Sequence, residues 1–266
     1  MPVERCHRCV GNPECENQVV NECLPVPYFG DLTKAHLKVV TVGLNPALNE
    51  YYDYREREWV AHVRSQRLAL VSDYGMQSRT GLHDEDVEDA KKRRESYFTD
   101  SKRNWHSYFE KMESVLNRVN PAWTYVMGSA AHIDLVGCAT KVRWSKLNRE
   151  TQNTLIGNCR EHFLATLSSL PSGTVILCDG PRATHEISNC GLRVEMKPKE
   201  LINVRELPSG DIGFIGELFI GDKQFPLRGW SSQVSRLSAV WRYDLAFWLH
   251  GTLFPRATWV GFQAMR

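Results

Sequence analysis

The stretch "KVVTVGLNPALNE", residues 38–50, decides how this chain is read. Lys38 to Val42 is a short β-branched run and reads as a buried strand. It stops at Gly43, and Asn45 and Pro46 then stand side by side. Such an ending suits a plain strand-to-helix turn, with Asn45 as its cap. It also suits the floor of a catalytic pocket. Gly43 allows close approach to the backbone, and Pro46 stiffens the loop.

Two further runs read as buried strands: "HIDLVGCAT" (132–140) and "GTVILCDG" (173–180). Helical spacing predicts a helix with Trp105, Phe109, Met112, Val115 and Leu116 on one side, stopped by Pro121. A second helix is predicted over 150–170, with Leu155, Cys159, Phe163, Leu164 and Leu167 inward. A short helix follows from Ala183 to Ser188, and a last one runs from about Ser235 to His250. "ELFIGDKQFPLRGW" (217–230) predicts strands around a turn at Gly221–Asp222. Strands that alternate with helices predict an α/β sandwich around a mainly parallel sheet. Ligands of such sheets lie at the carboxyl ends of the strands. Asn45, Asp134 and Asp179–Gly180 fall there.

The 266 residues suit one domain, and 42% hydrophobic content supports a sizeable core. Residues 1–30 form a cysteine- and proline-rich segment with little periodicity. A net charge of +2 excludes a histone-like binder, so nucleic-acid contact would need a local basic face. No apolar run is long enough for a bilayer and no signal-peptide core is visible, so a cytoplasmic monomer without membrane contact is expected.

Four segments, in order, resemble the signatures of the uracil-DNA glycosylase superfamily: "VPYFGD" with "KVVTVGLNPALNE", then "AAHIDLVGCAT", "TVILCDG" and "LRGWSSQVSRLS". They span about 200 residues. Gly43-Leu44-Asn45-Pro46 is similar to the Gly-x-Asn-Pro core of the mismatch-specific and single-strand-selective branches. The resemblance implies a three-layer α/β/α fold and an enzyme that flips one nucleotide out of double-stranded DNA. It would hydrolyse the N-glycosidic bond and leave an abasic site, with no metal or redox cofactor in the chemistry. It assigns Asn45 to holding the attacking water and Asp134 to the flipped base. Gly43 would line the base, and Tyr51, or else Tyr52, would stack on it.

Asp134 stands where many uracil-cleaving relatives have Asn. An ionised carboxylate only accepts hydrogen bonds and opposes uracil O4, whereas it suits the amino group of cytosine; a protonated Asp134 could still take uracil, or donate to cytosine N3. Removal of ordinary cytosine would destroy the host genome, so a discriminating substituent is required. The chain therefore resembles the branch that defends bacteria by removing α-glucosyl-5-hydroxymethylcytosine from phage DNA. The last signature lacks its usual His-Pro-Ser or Asn-Pro-Ser. There Ser231 and Ser232 are expected to bond phosphates or cap the final helix, and Gln233 or Arg236 to fill the gap left by the base. In "KVRWSK" (141–146), Arg143 and Lys146 are candidate phosphate contacts and Trp144 a stacking one. The basic run at 91–96 reads as a solvated helix face.

Cys6, Cys9, Cys15 and Cys23 make C-x2-C-x5-C-x7-C, a set able to hold structural zinc, or less readily an iron–sulfur cluster. Superfamily members from thermophiles carry such a cluster, with two ligands much later in the chain. Cys138, Cys159, Cys178 and Cys190 read as core residues. Two alternatives remain at this point: a uracil-type repair glycosylase, and a non-enzymatic nucleic-acid binder.

Overall fold

The computed structural model describes residues 2–53, 63–64, 67–100, 106–190, 192–200 and 212–255. Its strands are β1 (Tyr28–Phe29), β2 (Val39–Gly43), β3 (Tyr52–Asp53), β4 (Val63–Arg64), β5 (Ala130–Asp134), β6 (Val175–Asp179), β7 (Arg193–Glu200), β8 (Ile212–Ile220) and β9 (Lys223–Trp230). Its α-helices are α1 (Asp84–Glu95), α2 (Ser107–Val119), α3 (Arg149–Ser169), α4 (Pro181–Ser188) and α5 (Ala239–Leu253). Seven strands form one sheet in the order β1-β5-β2-β6-β9-β8-β7, and β3 and β4 pair separately.

The central strands β5, β2, β6 and β9 are parallel, whereas β1 and the β9-β8-β7 meander are antiparallel. The sheet is thus mixed, with a parallel centre, rather than mainly parallel throughout. The β8–β9 hairpin turns at Gly221, whose φ of 57° suits glycine.

The pleat sorts β2 by period 2. Val39 packs in a core cluster with Phe109, Met112, Leu116 of α2 and Leu245, Leu249 of α5. Val40 and Val42 pack in another, with Phe163 and Leu167 of α3 and Ala183 and Ile187 of α4. Each such fully buried side chain contributes about 1.5–3 kcal/mol through burial.

Two boundaries and one burial differ from the sequence expectation. The strand expected over 132–140 ends at Asp134. Beyond it the chain still bonds neighbours: Leu135 and Val136 donate to the Gly43 and Leu44 carbonyls, and Gly137 O accepts from Val26. Val136, Cys138 and Ala139 stay buried there, which is why the run reads as a strand. The last helix begins at Ala239, because Val234–Arg236 form a separate 3-10 turn and Ser238 Oγ caps the helix from 3.3 Å. Leu164 is half-buried while its helix partners are buried. Trp105 lies outside the described residues.

Candidate active site

The parallel register aligns Gly43 of β2 with Asp134 of β5. A Cβ on Gly43 would lie 2.8 Å from both Asp134 Oδ1 and His132 Nε2, so glycine is required for the two strand ends to meet. Gly43→Ala is expected to cost about 1–3 kcal/mol through this overpacking. Urea unfolding checks it; a change below about 0.5 kcal/mol would contradict the close approach.

Asn45 is half-buried just past this point. Its Nδ2 donates to Pro46 O and to Thr140 Oγ1, each at 3.2 Å. Thr140 spends its single proton on Val142 O at 2.7 Å, so its oxygen can only accept from Asn45. That fixes the amide orientation. Asn45 Oδ1 is left without a hydrogen bond among the described residues and can accept one from a water.

A directional chain of hydrogen bonds supports Asp134. The Tyr125 hydroxyl meets Thr41 Oγ1 at 2.7 Å, and Thr41 Oγ1 meets His132 Nδ1 at 2.7 Å. His132 Nε2 lies 3.3 Å from Asp134 Oδ1, and the tautomer in which Nδ1 accepts from Thr41 lets Nε2 donate to that carboxylate. Asp134 is 3% exposed, and burial raises its pKa against the opposing pull of His132. Its Oδ2 takes no hydrogen bond among the described residues. Phe29, Tyr108 and Phe109 pack their rings around His132 at 5.2–5.8 Å.

Two more carboxyls are buried nearby: Asp179, which the sequence already placed at a ligand-binding strand end, and Glu50 in the turn after β2, which it did not single out. Glu50, five residues past Asn45, is 2% exposed and accepts a hydrogen bond from the Tyr97 hydroxyl. Burial pushes its pKa up to about 7. Asp179 ends β6, and its Oδ1 accepts from Trp230 Nε1 at 3.1 Å and Val234 N at 2.8 Å. Burial pushes it to about 6. The buried Tyr108 hydroxyl faces Asp179 and opposes the rise of its pKa.

The other site expectations distribute as follows. Tyr51 is fully buried in the core, its hydroxyl donating to Leu24 O at 2.5 Å. Tyr52 is half-buried and bonds Glu22. The segment with Arg143 borders the site through the Thr140–Asn45 contact, and Arg143 and Lys146 are exposed. Ser231, Ser232 and Gln233 are half-buried and Arg236 is exposed. Their loop is tied to Asp179 through Val234 N, and Gln233 lies against Gly180. In the basic run at 91–94, Arg94 is buried, pairs with Glu4 and lies 4.4 Å over the Tyr28 ring, while Arg93 pairs with Asp89 at 2.8 Å.

The cysteines gather differently from the expected set. Only Cys9 of the N-terminal four joins a compact thiol group, and its companions are Cys138 and Cys159, with sulfurs all within 4.8 Å of one another. Cys6, Cys15 and Cys23 fall outside that group, and no cysteine is in a disulfide. Cys138 follows β5 and Cys159 lies on α3, so the fold, rather than close spacing, brings the three together. Cys15 packs in the same apolar cluster, its Sγ 3.2 Å from the Cys9 carbonyl. The buried Arg79 binds the Cys6, Val20 and Cys23 carbonyls and reaches Cys138 Sγ at 3.6 Å. Hydrogen bonds from Cys159 and Cys9, helped by Arg79, hold the Cys138 thiol well below its usual range.

No helix among the described residues is long and apolar enough to cross a membrane. Comparison with protein-family models, with curated proteins and with solved structures finds no match to this chain.

Proposed function

We propose that the protein is a DNA glycosylase of the uracil-DNA glycosylase type. It flips a modified cytosine, α-glucosyl-5-hydroxymethylcytosine of phage DNA, out of the duplex and hydrolyses its N-glycosidic bond. The observation that carries this reading is the juxtaposition of Asn45, with its Oδ1 open, and the strand-end Asp134. Helices in core clusters on both pleat faces support the three-layer sandwich that the reading requires.

The chemistry follows from these groups. Asn45 Oδ1 accepts from a water and aims it at C1′; orientation of this kind contributes several kcal/mol. Asp134, held by His132, presents Oδ2 to the amino group of a cytosine-type base. Exposed Arg143, Lys146 and Arg236 supply phosphate contacts around the site. The resulting DNA would be cleaved by alkali at the abasic position. Duplexes carrying either the glucosylated base or uracil separate the two glycosylase readings. Alkali-labile breaks in the first alone support the modified-cytosine assignment; breaks in the uracil duplex alone assign a repair glycosylase.

The thiol group fits a structural metal. Thiolates on one tetrahedral zinc, at about 2.3 Å from it, lie about 3.8 Å apart, within the spacing of Cys9, Cys138 and Cys159. Cys15 packs in the same apolar cluster and is a candidate further donor. The ion would pin residues 1–30 to the sheet and take no part in hydrolysis.

A further inference from the structure

Arg79 is a buried charge that the proposed hydrolysis does not use. It is 3% exposed and opens the 3-10 turn Arg79–Gly81 that precedes α1. Its Nη1 donates to Cys6 O at 3.3 Å, and its Nη2 donates to Cys23 O at 2.6 Å and to Val20 O at 3.1 Å. Nη1 also lies 3.6 Å from Cys138 Sγ. Cys6 and Cys23 thus serve Arg79 through their carbonyls, while their sulfurs stay outside the thiol group. A guanidinium stays charged at any working pH. Carbonyls bond its hydrogens without cancelling that charge, and a buried charge is costly unless an opposite one faces it. Among the described residues no carboxylate pairs with Arg79. Of the four groups it contacts, only the Cys138 sulfur can be negative.

We infer that Arg79 is a positioning residue of the metal site: it is the counter-charge with which the buried thiolates of Cys9, Cys138 and Cys159 hold one divalent ion. This rests on the metal reading of the thiol group and is independent of the glycosylase reading. Three thiolates on a divalent ion leave one negative charge, and Arg79 cancels it, so the buried site is neutral as a whole. A fourth thiolate would leave a negative charge in the core, and so would a monovalent ion in place of the divalent one. Cys15, whose Sγ donates to the Cys9 carbonyl at 3.2 Å, joins as a neutral thiol or not at all. The same guanidinium gathers carbonyls from Cys6 to Cys23 against Cys138. That segment reaches the candidate active site, because Val19 pairs with Thr140, which accepts from Asn45 Nδ2.

The test uses the full chain, with zinc as the probe and no DNA. Competition against a chromophoric chelator gives the affinity, elemental analysis the stoichiometry and circular dichroism the fold. Wild type should bind one zinc per chain. Arg79→Gln keeps a hydrogen-bond donor without the charge and should bind zinc about 10–100-fold more weakly. Arg79→Lys keeps the charge without the planar fork and should bind at least about threefold more tightly than Arg79→Gln. Equal affinity in wild type and a folded Arg79→Gln overturns the inference. So does an Arg79→Lys as weak as Arg79→Gln, since the arginine would then act through its hydrogen bonds alone.

A second arm needs only the wild type and decides the matter if Arg79→Gln does not fold. Cobalt(II) bound in place of zinc absorbs in the near ultraviolet in proportion to the thiolates on it. Three thiolates per cobalt are expected, and any other number overturns the inference. A wild type that binds neither ion removes the metal reading itself, whereas a wild type that binds zinc no better than Arg79→Gln removes the Arg79 role alone.

Discussion

Asn45→Ala should lower base release by about 10²–10³-fold and leave the fold intact. The side chain is half-buried and makes two hydrogen bonds of 3.2 Å. Losing them costs about 1–2 kcal/mol of stability, far less than unfolding requires. The larger loss is kinetic. The Thr140 hydroxyl is committed to Val142 O and accepts from Asn45 Nδ2, which leaves Oδ1 as the acceptor end of the amide. A methyl group can neither accept from the water nor orient it. Single-turnover release checks the rate, and circular dichroism checks the fold. Full activity in this variant would remove Asn45 from the mechanism.

The second large effect concerns the thiols. Cys138→Ser should release one bound metal per chain and lower the thermal midpoint by roughly 8–16 °C. A metal at a thousandfold its Kd stabilises by about 4 kcal/mol, and each kcal/mol moves Tm by about 2–4 °C at this chain length. Cys23→Ser lies outside the thiol group and should keep the metal, although Cys23 is buried. Elemental analysis of the purified chain separates loss of metal from loss of packing. Equal metal content in the Cys138→Ser and wild-type proteins would show that the three sulfurs are core residues only.

The strand ends were legible in the sequence because β-branched runs stop abruptly at polar groups. Val39–Gly43 and Val175–Asp179 appear where the runs place them. The antiparallel share of the sheet was less legible, since periodicity gives no direction to a strand. The extended reading of 135–140 failed for a related reason: burial beside the cysteine cluster makes that segment as apolar as a strand. Asn45 and Asp134 could be singled out because polar groups at the ends of apolar runs stand out. Glu50 could not, because an acid in a polar loop reads as solvated, whereas the fold buries it against the Tyr97 hydroxyl. Residues far apart in sequence made the cysteines hardest. The local spacing of Cys6, Cys9, Cys15 and Cys23 suggests a closed set, yet the crossover from β5 to α3 delivers Cys138 and Cys159 to Cys9.

Asp134 is where the proposed reaction and the identity of the base meet. Its register with Gly43 places it at the carboxyl end of β2, where the proposed reaction would occur, and His132 lies against its Oδ1. Mass spectrometry of the free bases released from phage DNA containing α-glucosyl-5-hydroxymethylcytosine, beside unmodified and uracil-containing DNA, tests this most directly. Release of the intact glucosylated base from the first DNA and none from the other two is the predicted result. No free base from any of the three, or uracil alone, would contradict it.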